Sequence, residues 1–229
     1  MLFVEENRAR ALAVLARPLF PSAVQLAVTD PTDAPTGLTT FESDQIANAV
    51  DKRRREFAAG RRAARMALVT MGHPSVHLPI GENRAPIWPD GVVGSISHSD
   101  TICIAVTAPS RQIAAIGVDV EDDRLLSPEL EPLICTPTER EWLARHPKHH
   151  RRRMGMLVFS AKEAAFKCQF ALSHCMLGFD ALEIHLSDDI GHFEARFTQE
   201  AGPFPENTVL HGKFVTGHDM ILTAVTLRR

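Results

Sequence analysis

One pattern constrains the fold more than any other: a helix-period stretch followed by short β-rich runs occurs twice along the 229 residues. In the first half, Ile46, Val50, Phe57, Ala64, Leu68 and Met71 recur at spacings of three, four and seven. That periodicity predicts one helix over Ser43–Met71, with Gly72 and Pro74 as its stop. Gly60 falls inside it, so either the helix breaks there or something packs closely against its backbone. After the turn residues Trp88-Pro89-Asp90-Gly91, the runs 92–97, 102–107 and 113–120 read as strands. In the second half, Thr136-Pro137-Thr138-Glu139 has the makings of a helix start: an N-cap Thr, Pro at the first position and a capping-box Glu. A longer helix is expected over Arg152–Ser173, and the runs 182–186, 192–197, 210–215 and 220–227 read as an antiparallel meander. A short helix over Asn7–Ala16 and a strand over Gln25–Thr29 complete the expectation.

The predicted class is α+β, with two similar α/β lobes, each an antiparallel sheet on a long helix. The lobes are expected to span 1–111 and 112–229. With 45% hydrophobic residues and 23% charged, the chain can bury a sizeable core. Its formal charge of −3 offers no overall positive field for nucleic acid or an anionic membrane. Basic residues are clustered instead, at Lys52–Arg55, Arg61–Arg65 and Arg151–Arg153, which suits a compact anionic ligand. Cys103, Cys135, Cys168 and Cys175 form no C-x-x-C pair and are expected as reduced thiols. No segment has the roughly 18 apolar residues of a membrane span, and no secretory leader is read at the start. A cytoplasmic protein is expected.

Several groups of residues could carry chemistry. In Gly117-Val118-Asp119-Val120-Glu121 the two carboxylates share one strand face and the valines the other. Such a pair is either a solvated strand edge or an oxygen-only site suited to Mg²⁺. In Phe159-Ser160-Ala161-Lys162-Glu163-Ala164-Ala165-Phe166-Lys167, Glu163 and Lys167 lie one helical turn apart. They are either an exposed ion pair or, given the apolar surroundings, cleft-lining residues. Ser97 and His98 end a strand as a phosphate contact or a structural cap. Arg53, Arg61 and Arg65 lie along one side of the first long helix, as a solvated face or as forks for a phosphate monoester. His146, His149 and His150 lack a carboxylate or Cys to complete a metal set and read as a solvated loop.

Taken in order, these segments resemble the 4'-phosphopantetheinyl transferase superfamily, in its enterobactin-synthase component D and surfactin-synthetase-activating branch. The resemblance rests on Lys52-Arg53-Arg54-Arg55-Glu56-Phe57, Gly60-Arg61-Arg62-Ala63-Ala64-Arg65 and Pro86-Ile87-Trp88-Pro89-Asp90-Gly91. Gly94-Ser95-Ile96-Ser97-His98 and the two acidic motifs complete it, over Lys52–Ile184. It implies a two-lobed pseudo-dimer that takes coenzyme A between its lobes. It also implies a holo-[acyl-carrier-protein] synthase type of activity, moving the phosphopantetheine arm of coenzyme A onto a carrier-protein serine and releasing 3',5'-ADP.

Asp119, Glu121 and Glu163 would hold Mg²⁺, with the Val120 carbonyl contributing. His98 and Lys167 would contact phosphates beside Ser97, and Arg53 and Arg61 would grip the 3'-phosphate. Asn83, Arg84, Ala85 and Pro86 would run beside the nucleotide. Glu163, Lys167 and His98 would be the catalytic groups, with Glu163 as base. The implied partners are coenzyme A and an acyl, peptidyl or aryl carrier protein; no nucleic acid or membrane is expected, and the protein is expected as a monomer. Siderophore-type metabolism fits the branch, and Arg151–Arg153 are expected to face an acidic carrier helix. Two other functions share these residues: a metal-dependent phosphodiesterase, and an inactive coenzyme A or carrier-protein binding module.

Overall fold

The computed structural model describes residues 2–73, 77–187 and 191–229. It divides into two compact units, Met1–Ala114 with Arg228–Arg229, and Ala115–Leu227.

The first unit runs through α1 (Leu2–Ala16), β1 (Gln25–Thr29), α2 (Thr40–Gln45), α3 (Asp51–Thr70), β2 (Val92–His98) and β3 (Cys103–Pro109). Its strands form an antiparallel sheet in the order β1-β3-β2. The expected single helix over 43–71 is two. Thr39 and Glu42 form a reciprocal capping box that starts α2 early, and α3 begins afresh after Val50 in extended conformation. Val50, placed on the apolar stripe by its spacing, is therefore 73% exposed, while Ile46, Phe57, Ala64 and Leu68 are buried.

Through Gly60, by contrast, α3 is unbroken. A Cβ there would stand 3.1 Å from Ile96 Cγ2 on β2, and flanking alanines 58, 59, 63, 64 and 67 keep the same close approach to the sheet. Thr29 Oγ1 donates to the Ala59 carbonyl at 2.9 Å and fastens β1 to this face. Gly72, with φ of +80°, ends the helix in the left-handed conformation; Pro74, the second expected stop, lies outside the described residues.

The second unit holds most of β4 (Ile113–Asp122), then α4 (Glu131–Ile134), α5 (Pro137–Ala144), α6 (Lys148–Ser173) and β5 to β8 (Leu182–Leu186, His192–Phe197, Val209–Gly217, Met220–Arg228). The sheet order is β4-β8-β7-β6-β5, and β5 to β8 are the expected antiparallel meander. His218 and Asp219, both at positive φ, make the tight two-residue turn between β7 and β8. α6 buries Val158, Ala161, Ala164, Ala165 and Cys168 in a core with Ile184, Phe193, Phe197, Leu210 and Val225.

α6 also starts four residues earlier than its periodicity suggests, because Pro147 serves as its N-cap. His149 and His150 consequently sit in helix, not in the loop expected for them. Both units pair a long helix with an antiparallel sheet, as the α+β reading requires, but three strands face one helix and five the other. Among the described residues no helix is long and apolar enough to cross a membrane.

Candidate active site

The second unit brings the two acidic motifs together through one close backbone approach. A Cβ on Gly117 would stand 2.0 Å from the Ala164 carbonyl oxygen and 2.6 Å from the Cys168 nitrogen, so only glycine lets β4 lie against α6 at this point. Two residues further on, Asp119 faces the same helix. Its Oδ1 accepts from Lys167 Nζ at 2.7 Å, and its Oδ2 accepts from the Ser160 hydroxyl at 2.8 Å. Asp119 is 2% exposed, so the solvated-edge reading of this strand does not hold. Val118 and Val120 fill the core from the opposite face, and Lys167 Nζ also donates to the Val118 carbonyl at 3.2 Å.

Lys167 is thus drawn to a carboxylate 48 residues away in sequence, and it is no simple surface partner of Glu163. Glu163 is half-buried. Burial pushes its carboxyl above the ordinary value, the Asp119 charge adds to this and Lys167 opposes it. Glu121 is pushed up to about 8, first by burial, then by the negative charge of Asp119, with Glu163 adding and Lys167 opposing. Three carboxylates therefore share the field of one ammonium group.

That donor set, oxygen only and short of positive charge, suits a hard divalent cation. Among the described residues, though, no three Asp, Glu, His or Cys side chains already stand gathered at ligand distances.

In the first unit, His98 at the end of β2 meets Arg53 of α3. Arg53 Nη1 donates to His98 Nε2 at 3.3 Å, and Glu56 Oε2 stands 3.7 Å from the same nitrogen. Lys52 pairs with Asp100 at 2.7 Å on the same rim. Ser97 is buried.

The arginine row is not a solvated face. Arg61 is 5% exposed, stacks 4.3 Å over the Phe57 ring and donates from Nε to the Leu78 carbonyl at 2.7 Å. Burial lowers it to about 10, so it stays charged at neutral pH and adds to the positive field that Arg53 and Arg65 share. Arg65 is held by the buried Glu42 at 2.8 Å. Asn83 and Arg84, both exposed and left-handed, form a tight loop closed by Gly81 N donating to Ala85 O at 2.7 Å and by the bridge between Ile80 and Pro86.

The expected basic carrier surface is altered. Arg151 Nε donates to Glu131 Oε2 at 3.0 Å, Arg152 Nε to the Leu126 carbonyl at 2.8 Å and Arg153 Nε to Asp123 Oδ1 at 2.9 Å. Arg151 and Arg153 are thus paired with carboxylates while Arg152 keeps its charge, and all three arginines tie α6 to the segment after β4. Reasoning from sequence also missed Ser160, Lys162 and Glu56, although each lay inside a quoted motif. Thr223, 3.0 Å from Ser160 Oγ, carried no signal at all.

The carboxylates around an ammonium group in one unit, and the Arg–His pair in the other, are each chemistry suited to phosphate. Comparison with known proteins names the family. The 4'-phosphopantetheinyl transferase N-terminal domain matches residues 41–108, and the 4'-phosphopantetheinyl transferase superfamily matches 115–224. The chain is 37% identical over 219 residues to 4'-phosphopantetheinyl transferase Svp of Streptomyces mobaraensis, covering 91% of this chain and 87% of that one. It is 33% identical over 204 residues to PptT of Mycobacterium tuberculosis, covering 84% and 88%. Enterobactin synthase component D of Escherichia coli is 44% identical over 125 residues, covering 54% and 58%.

The chain therefore belongs to the 4'-phosphopantetheinyl transferase superfamily, and its general activity is phosphopantetheinyl transfer. The likeness reaches well beyond the stretch Lys52–Ile184 that the motifs alone delimit. Among solved structures, the holo-[acyl-carrier-protein] synthase of Thermotoga maritima aligns with a TM-score of 0.41 and 21% identity, covering 51% of this chain and 64% of that one.

Proposed function

We propose that this chain moves the phosphopantetheine arm of coenzyme A onto a serine of an apo carrier protein with the help of Mg²⁺. The observation that carries this reading is the surplus of carboxylate around Lys167: Glu121 and Glu163 are both pushed towards protonation beside a buried Asp119. Asp119, Glu121 and Glu163 would hold Mg²⁺, with the Val120 carbonyl as a further oxygen. The ion would supply positive charge to the phosphoryl oxygens of coenzyme A.

The chain's own groups do the rest. Arg53 and His98 bind phosphate oxygens, and buried Arg61 contributes its charge from behind. Asn83, Arg84, Ala85 and Pro86 border the nucleotide, and Ser97 sets the strand end from which His98 projects. The serine oxygen forms a bond to the β-phosphorus as the bond to the bridging oxygen of 3',5'-ADP breaks. The serine proton passes to Glu163, whose raised carboxyl makes it a better acceptor than an exposed glutamate. Lys167 donates to the charge that builds on the transferring group.

Incubation with coenzyme A, Mg²⁺ and an apo carrier tests this directly. A carrier mass gain of about 340 Da marks one transferred arm. Asp119→Ala should abolish the gain with the fold intact, and near-normal labelling by that variant would overturn the assignment. Coenzyme A binding without a mass gain on acyl, peptidyl or aryl carriers would instead support a binding module.

A further inference from the structure

Asp119 is fixed by more than Lys167. Ser160, three residues before Glu163 on α6, is fully buried and gives its hydroxyl proton to Asp119 Oδ2 at 2.8 Å. A serine hydroxyl has one proton, so its oxygen is left as an acceptor. Thr223 on β8, also fully buried, anchors Ser160 through its backbone: its one hydroxyl proton goes to the Ser160 carbonyl at 2.8 Å, and its Oγ1 packs 3.0 Å from Ser160 Oγ. Three elements thus meet around Asp119 of β4: α6 supplies Ser160 and Lys167, which bond its carboxylate, and β8 supplies Thr223, which bonds Ser160. With Oδ2 committed to the hydroxyl, the carboxylate can turn only by breaking a buried hydrogen bond.

We propose that Ser160, backed by Thr223, is a positioning residue that makes Asp119 a one-oxygen ligand, presenting Oδ1 on the Lys167 side and withholding Oδ2. This rests on the reading of Asp119 as a magnesium ligand. Ser160 touches neither substrate nor ion; it acts by holding the orientation of the carboxylate that does. The chemistry agrees with the cation, because Mg²⁺ demands a strict octahedron and takes carboxylates singly, with water and phosphate completing its sphere. A hydroxyl that holds the idle oxygen of a ligand is the usual means of setting such orientation, and its loss typically weakens metal binding roughly 10- to 100-fold. The mechanism set out above makes no use of either hydroxyl.

The test measures Mn²⁺ binding by calorimetry, with coenzyme A present, in the whole protein and in Ser160→Ala, Thr223→Val, Thr223→Ser and Asp119→Asn. Binding should weaken about 10- to 100-fold in Ser160→Ala, and less in Thr223→Val. Thr223→Ser, which keeps the hydroxyl, should restore it. The Mg²⁺ needed for half-maximal transfer should rise in step, with KM for the carrier unchanged. Wild-type Mn²⁺ affinity in Ser160→Ala, alongside its loss in Asp119→Asn, would leave Ser160 a packing residue and overturn the proposal. Equal Mn²⁺ binding by Asp119→Asn and wild type would overturn the magnesium reading itself, and the proposal with it. Should Ser160→Ala fail to fold, the contrast between Thr223→Val and Thr223→Ser decides the matter.

Discussion

The ammonium of Lys162 lies 2.8 Å from Glu139 Oε2, and both side chains are 1% exposed. Lys162 also donates to the carbonyls of Ile134, at 2.8 Å, and Phe179, at 2.7 Å. Glu139 in turn accepts the backbone N–H of Thr136 and of Ile184. One buried pair therefore ties α4, α5, α6 and β5, and it sits one residue from Glu163. Every polar atom in it has a partner, which is what makes a buried charge tolerable.

Removing one partner of that pair should be costly. Lys162→Met is expected to destabilise the protein by about 3–5 kcal/mol in urea unfolding, because Glu139 is left charged and buried. The double variant Lys162→Met/Glu139→Gln should lose less than the single one, since the stranded charge is gone. Strictly additive losses would show that the two residues are not coupled.

Gly117→Ala tests the close approach of β4 to α6 that brings Asp119 to Lys167. The new methyl would meet backbone atoms of α6, at 2.0 Å from the Ala164 oxygen, and backbone cannot swing aside as a side chain can. A stability loss greater than about 3 kcal/mol is expected, at the upper end of overpacking costs. The corresponding change at Gly60 meets a side-chain methyl, Ile96 Cγ2, at 3.1 Å rather than backbone, and should cost less. Chemical denaturation of both variants gives the comparison.

Glu42 sets an acid limit on the first unit. Burial alone would push its carboxyl up, but the N–H groups of Leu78 and Thr39 together with Arg65 outweigh burial and hold it below its ordinary value of 4.5. A carboxyl depressed in the folded state stabilises the fold above its unfolded value, and that stability is lost as pH falls through the folded one. Unfolding free energy should therefore decline as pH drops below about 4.5. The decline should be shallower in Glu42→Gln, and equal slopes in the two proteins would refute the assignment.

Arg53 and Arg65 lie three turns apart on one helix yet should fail differently when truncated. Arg53 is 41% exposed at its side chain and meets His98, so Arg53→Ala should raise KM for coenzyme A roughly 10-fold or more with little loss of stability. Arg65 is 12% exposed and neutralises the fully buried Glu42, so Arg65→Ala should cost about 3 kcal/mol or more of stability. Steady-state kinetics beside urea unfolding of each variant would separate the two.

Much of this protein was legible in its residues alone, because the signals were local. Period-two runs placed the strands to within a residue or two, and the Thr136–Glu139 capping box marked the start of α5. Alternation put Asp119 and Glu121 on one strand face, whatever that strand met. The order and spacing of the acidic motifs pointed to the family. What spacing could not say is which charges would find each other across the chain. Lys167 chose Asp119, Arg65 chose Glu42, Arg151 and Arg153 paired with Glu131 and Asp123, and Thr223 met the serine that holds Asp119. Those choices depend on distances of a few ångströms between segments tens of residues apart. Only tertiary packing decides them: at Asp119 it is the packing of α6 against β4, which the missing side chain of Gly117 allows, and at Glu42 the packing of α2 beside α3.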